Sequence, residues 1–184
     1  MAPADRELAV EAISRNSRAL VHQVNGLMDE SMQSMRAELL RPLPTDLHSV
    51  AREIIADYQG LNPRVGIELV GEPLWAIADA GALDTVLRHL TENALRYARD
   101  HVRIEVRPAG EYAVVAVSDD GPGLPKGLTL FQAFAPAADG SGHGLGLHVV
   151  KTLVDAMAGE VSGRNAQEGG AVFEVRLRLS APGG

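Results

Sequence analysis

The chain has 184 residues, 46% of them hydrophobic and 22% charged, the make-up of an ordinary globular protein with room for one full domain and a small appendage. It has no cysteine, which excludes disulfide frameworks and thiolate zinc sites. Its 24 acidic and 17 basic residues give a net charge of −7, a surface that repels a phosphate backbone and argues against nucleic acid as a partner. No apolar run approaches the roughly 18 residues of a membrane span, and no signal peptide is visible at the start.

Residues 5–40 read as one helix, with Asp5 as N-cap. Ile13, Leu20, Val24 and Leu27 recur at helical spacing, and Arg41-Pro42-Leu43-Pro44 stops the pattern. So long a helix with one narrow apolar seam cannot bury that seam alone, which favours a dimerising or bundle helix over one packed on its own domain. From Thr45 the pattern turns mixed. Thr45-Asp46 caps an amphipathic helix through Leu47, Val50, Ile54 and Ile55, ending near Gln59-Gly60. Strands are expected at 65–70 and 74–78, a strongly amphipathic helix at 82–97, and strands at 101–107 and 112–118. Residues 125–141, rich in Gly, Pro and Ala, read as a loop. A helix over 145–157 and strands at 160–164 and 171–179 complete the chain. Short connections between several strand pairs predict an α+β fold: a two-layer α/β sandwich with a mixed, mostly antiparallel sheet, rather than a parallel doubly wound one.

Three motifs carry candidate chemistry. Asp119-Asp120-Gly121-Pro122-Gly123-Leu124 follows the strand Val114–Ser118, so a carboxylate at a strand end stands beside glycines that let the backbone close over a flat base. The same residues also suit a plain Asp-Gly turn. Gly140-Ser141-Gly142-His143-Gly144-Leu145-Gly146-Leu147 opens a helix, where glycine amides and the helix dipole favour phosphate, although a glycine-rich stretch alone is often only a loop. In the helix at 82–97, His89, Asn93, Arg96 and Tyr97 share one side. Asn93 offers an oxygen to Mg²⁺, Arg96 pairs with phosphate, and Tyr97 can lie against base or ribose. A solvated helix face explains the same spacing.

In this order the three motifs resemble the ATPase domain of sensor histidine kinases, a family shared with gyrase, Hsp90 and MutL. His89-x-x-x-Asn93 resembles the N box, Asp119-x-Gly121-x-Gly123 the first glycine box, and Gly142-x-Gly144-Leu145-Gly146-Leu147 the second. Phe131-Gln132-Ala133-Phe134 resembles the phenylalanine box, and Gly169-Gly170-Ala171-Val172-Phe173-Glu174-Val175 the last strand. The resemblance covers residues 46–181 and implies the histidine-kinase ATPase fold, with ATP and Mg²⁺ as cofactors. Asp119 would contact the adenine amino group, Asn93 would bind Mg²⁺, and Arg96 and Tyr97 would contact phosphate and nucleoside. Gly121 and Gly123 would close over the base, and Gly142, His143, Gly144, Leu145, Gly146 and Leu147 would shape the phosphate end. His89 and Asn93 are the catalytic candidates; His89 stands where kinases commonly carry Asn and related ATPases Glu, and it could serve as a base, polarise water or merely tolerate the position.

The leading helix resembles the second helix of a dimerisation and phosphotransfer domain, giving a division into 1–44 and 45–184 and implying a homodimer through that helix. A first helix with a phospho-accepting histidine is missing, and none of the histidines at 22, 48, 89, 101, 143 and 148 has its neighbourhood. The chain is therefore expected to be a fragment that does not phosphorylate itself. Lys126 is the sole basic residue of 125–141, where many kinases place arginine, so phosphoryl transfer is more in question than nucleotide binding. The expected function is Mg-ATP binding as the catalytic part of a two-component histidine kinase, with a response regulator as partner, a cytoplasmic location and no direct membrane contact. The alternatives are a nucleotide-binding or phosphotransfer module without catalysis, or a stand-alone serine kinase of the anti-sigma-factor type.

Overall fold

The structure, a computed structural model, describes residues 39–59, 64–125, 130–132 and 146–182. The helix expected over residues 5–40 lies outside this set except for Leu39 and Leu40, which are not helical.

The described chain runs β1 (Leu43–Asp46), α1 (Leu47–Tyr58), β2 (Gly66–Gly71), β3 (Trp75–Ala78), α2 (Ala80–Tyr97), β4 (His101–Ala109), β5 (Tyr112–Asp119), α3 (Gly146–Ala156), β6 (Glu160–Asn165) and β7 (Ala171–Arg178). Each α-helix and strand expected from Thr45 onward is present, with ends displaced by a residue or two. One element was unforeseen. Leu43-Pro44-Thr45-Asp46 is not merely a helix stop but a short strand, antiparallel to β3 with Pro44 opposite Ile77. Proline is tolerated there because β1 is an edge strand and its missing amide breaks no central ladder.

Five strands form the main sheet in the order β2-β4-β5-β7-β6. β2 runs parallel to β4, and the other three pairings are antiparallel. This is the expected mixed, mostly antiparallel sheet with helices on one side. Alternation decides which side chains face the helices. Val102, Ile104 and Val106 of β4, Ala113, Val115 and Val117 of β5, and Phe173, Val175 and Leu177 of β7 enter the core with Leu83, Leu87 and Leu90 of α2 and Leu153 of α3. Each such leucine contributes about 1.5–3 kcal/mol on leaving water. The opposite face carries charge: Glu174 takes both Arg107 (3.1 Å) and Arg164 (3.0 Å), and Arg103 meets Glu68 at 2.6 Å.

Aspartates begin the first two helices. Asp46 Oδ1 accepts from the His48 and Ser49 amides at 3.0 and 3.2 Å, while Thr45, the other candidate at this cap, sends its hydroxyl to the Ala78 carbonyl at 2.8 Å. Asp79 caps α2 through Ala82 (3.0 Å) and also accepts from the Arg41 amide at 3.1 Å. Each cap is worth about 1 kcal/mol.

Candidate functional site

The same two-residue alternation that buries Val115 and Val117 carries Asp119, the last residue of β5, onto the helix side of the sheet. A carboxylate there leaves water: Asp119 is only 7% exposed. Its Oδ1 accepts from the Gly121 amide at 2.8 Å and from the Ala171 amide at 3.4 Å. Both donors sit on Oδ1, and among the described residues Oδ2 takes none. Burial pushes the carboxyl above its ordinary value, and the two amides only partly counter that. The result is a fixed acceptor at the edge of the core, suited to reading one N–H donor group.

Gly121 must be glycine for a steric reason. A Cβ would overlap the carbonyl of Tyr97 at the end of α2 and come within 2.8 Å of Asp119 Oδ1. The turn after β5 and the end of α2 are thus in direct contact, which brings the first glycine box and the N-box helix together. Gly123 has φ of +80°, and a Cβ there would stand 2.7 Å from Asn165 Oδ1.

Helix α2 has three faces. Leu83, Leu87, Leu90, Thr91 and Ala94 are buried against the sheet. Arg88 and Glu92 reach across to α1, Arg88 to Asp57 at 2.6 Å and Glu92 receiving the Tyr58 hydroxyl at 2.6 Å. Burial, then the Glu92 carboxylate, pushes the Tyr58 phenol up to about 12. His89, Asn93 and Tyr97 occupy the third side, half-buried, with Arg96 exposed in the last turn. His89 lies beside the start of α3, its Nδ1 3.7 Å from where a Cβ on Gly146 would stand.

Gly146 and Leu147 are the first residues of α3, and Leu147 packs partly buried on the core. Gly142, His143, Gly144 and Leu145 lie outside the described residues, as do Ala133 and Phe134. From the phenylalanine box, Phe131 is described. Its ring meets Phe173 edge-on at 6.3 Å, and its carbonyl lies 3.3 Å from His148 Nδ1.

Two residues at this site escaped the sequence reading. Asp120, the second acid of the Asp-Asp pair, accepts from the Arg99 amide at 2.8 Å and the Asp100 amide at 3.1 and 3.2 Å. Asn165 accepts from the Leu124 amide at 2.5 Å and donates to its carbonyl at 3.1 Å, gripping the chain just after Gly123. The doubled aspartate was a visible signal; a partner 41 residues away was not.

No group of three or more His, Cys, Asp or Glu side chains able to hold a metal exists among the described residues. Such a set of side chains would suit Mg²⁺ only if phosphates and water supplied most of its ligands, and the half-buried Asn93 could then contribute one oxygen.

The sequence profile of the histidine kinase-, DNA gyrase B- and HSP90-like ATPases matches residues 78–181, more than half of the chain. The chain belongs to that family. Among proteins similar to this chain, the sensor histidine kinase TmoS of Ectopseudomonas mendocina is 32% identical over 190 residues, covering 95% of this chain and 19% of the relative. The sensor protein KdpD of Mycobacterium tuberculosis is 34% identical over 195 residues, 98% of this chain and 22% of the relative. The chain thus spans about a fifth of the length of these relatives. Among solved structures, full-length ShkA in complex with AMPPNP superposes with a TM-score of 0.71 at 25% identity, covering all of this chain and 41% of that one. The mycobacterial sensor histidine kinase MprB matches 76% of this chain and 98% of its own with a TM-score of 0.68 at 22% identity, a likeness of fold. Among the described residues of this family member, no helix is long and apolar enough to cross a membrane.

Proposed function

We propose that residues 45–184 bind Mg-ATP as the catalytic part of a two-component sensor histidine kinase, donating the γ-phosphate to a histidine that this chain does not carry. The observation that carries this reading is the buried Asp119 carboxylate, its Oδ1 held by two backbone amides and its Oδ2 left to accept the exocyclic amine of adenine. The family membership, the sensor-kinase relatives and the AMPPNP bound by ShkA support it.

In this reading Asn93 holds Mg²⁺ together with the phosphates, Arg96 pairs with phosphate, and Tyr97 lies against the nucleoside. Gly121 and Gly123 close the backbone over the base. The stretch Gly142, His143, Gly144, Leu145, Gly146 and Leu147 wraps the phosphates, with Gly146 and Leu147 at the N-terminus of α3, where the helix dipole favours negative charge. Bound Mg²⁺ would neutralise developing charge on the transferring phosphate. His89, beside Gly146, polarises water or the transferring group at that end. Residues 1–44 serve as the dimerisation helix of a homodimer. The response regulator is the downstream partner, nucleic acid is not one, and the segment works in the cytoplasm without touching the membrane itself.

A second reading, a nucleotide-binding module without transfer, is favoured by Lys126 as the sole cation between Pro125 and Ser141. Titration calorimetry tests the site. Asp119→Asn is expected to weaken ATP by about ten- to a hundredfold, the loss of a buried charge-assisted hydrogen bond. Asn93→Ala is expected to remove chiefly the gain that Mg²⁺ brings. Unchanged affinity in both variants would show the assignment to be wrong. Adding the histidine-bearing helix in trans then separates the readings: Mg-ATP binding without transfer favours the second.

A further inference from the structure

We propose that Asp120 is a positioning residue whose carboxylate locks the C-terminal end of α2 against the turn carrying Asp119, keeping the adenine-reading and the metal- and phosphate-facing halves of the site at one spacing. The inference rests on the ATP reading above and deepens it.

Helix α2 stops at Tyr97. Ala98 bonds back to the Ala94 carbonyl but takes φ −57° and ψ 147°, turning the chain out of the helix. The next two amides, of Arg99 and Asp100, have no helical ladder to join. Both go to Asp120: Oδ1 takes Arg99 at 2.8 Å and Asp100 at 3.2 Å, and Oδ2 takes Asp100 at 3.1 Å. The clasp is reciprocal, because the Asp120 amide donates to the His101 carbonyl at 3.3 Å. One residue further on, Gly121 lies so close to the Tyr97 carbonyl that no side chain fits between them. Two independent contacts thus join the same short pieces of chain.

What these pieces carry makes the joint more than a local cap. Asp120 and Gly121 directly follow Asp119, the adenine acceptor. Tyr97, Arg96 and Asn93 occupy the last turns of the clasped helix. A helix is stiff, so a shift or fraying at its end displaces all three side chains relative to Asp119. A misplacement of about 1 Å is enough to lose most of the advantage of a preset site. Desolvation pushes the Asp120 carboxyl up, but backbone amides, those of Arg99 and Asp100 foremost and those of His101 and Asp120 with them, outweigh it and hold the group below the ordinary carboxylate range. It therefore stays ionised as an acceptor throughout the neutral range.

The test compares the full chain with Asp120→Asn and Asp120→Ala. Calorimetry measures affinity for adenosine, for ATP with chelator and for ATP with Mg²⁺, and melting of the ligand-free proteins serves as control. With its carbonyl in the place of Oδ1 asparagine can still meet both amides, but its NH2 would replace Oδ2 as acceptor for Asp100, so Asp120→Asn is expected to weaken Mg-ATP clearly less than Asp120→Ala does. Asp120→Ala is expected to lower Mg-ATP affinity by about tenfold or more, with adenosine, which meets only Asp119 and Tyr97, weakening less and the Mg²⁺-dependent gain shrinking. If Asp120→Ala does not fold, Asp120→Ser, whose hydroxyl reaches one amide at most, takes its place with the same readouts. The proposal is overturned if the alanine or serine variant keeps the parent's Mg²⁺-dependent gain, or if adenosine and Mg-ATP weaken equally in step with melting, since a merely structural role does that. A parent chain that binds no ATP would defeat the reading beneath it instead, and this inference with it.

Discussion

Gly169 and Gly170 stand side by side in the turn between β6 and β7, both with positive φ, +100° and +84°. Their surroundings differ sharply. Nothing lies within 4 Å of a Cβ on Gly169, whereas one on Gly170 would overlap the backbone carbonyl of Asp119. Gly169→Ala should therefore cost only the left-handed strain, about 1 kcal/mol. Gly170→Ala adds an overlap that no side-chain rotation relieves, and should cost about 2–4 kcal/mol. It should also disturb ATP affinity, because the atoms it pushes belong to Asp119, the proposed adenine acceptor. Urea denaturation of both variants measures the difference, and equal costs would refute the steric account. Both glycines were visible in the sequence as a match to a family's last strand, but which one could not carry a side chain was not. That depends on a strand end some fifty residues away.

Helix α2 shows what a helical period reveals and what it conceals. Leu83, Val86, Leu87, Leu90 and Leu95 announce the buried face; the first four are buried, and Leu95 packs only partly buried against the core. The spacing of His89, Asn93, Arg96 and Tyr97 likewise marks a second face, which the structure leaves off the core. The pairing of Arg88 and Glu92 with α1 was not legible, because Asp57 and Tyr58 reach them only through packing. Nor was β1, where two prolines around a leucine read as a helix stop and the strand partner is over thirty residues away. Thr91 breaks the apolar pattern in another way. It is fully buried, and its hydroxyl meets no partner among the described residues. Valine has nearly the same shape without the stranded hydroxyl, and the two residues differ little in helix propensity. Thr91→Val is accordingly expected to raise stability by about 1 kcal/mol, read as a higher urea midpoint at unchanged slope. A loss of stability would mean that the hydroxyl has a partner after all or that a methyl does not fit its place.

At the scale of the whole molecule, the sheet order puts β5 in the centre, flanked by β4 and β7, and ends it at Asp119. The most buried strand thus delivers a charge to the edge of the core. Order and register come from long-range pairing, so the sequence could offer the strands and the acid but not this convergence. The arrangement should be visible in pH dependence. Because burial raises the folded-state value of Asp119 above its unfolded one, the folded form holds its proton more tightly between the two. The burden on stability is absent below the unfolded value, grows as pH rises through the folded value, and is fully present above it. Asp119→Asn removes that burden while its carbonyl can still take the Gly121 and Ala171 amides. Without nucleotide, the variant should melt above the parent at about pH 7, and the gap should close towards about pH 3, where the Asp119 carboxyl is largely protonated in both states. With Mg-ATP at about one hundred times its Kd, the parent gains about 2.7 kcal/mol by mass action and the variant, binding weakly, far less, so the order should invert. Melting curves at the two pH values, with and without nucleotide, give all four comparisons. A variant that melts below the parent at neutral pH without ligand would show that the ionised carboxylate stabilises the fold, and that the charge is not held there at the expense of stability for the sake of binding.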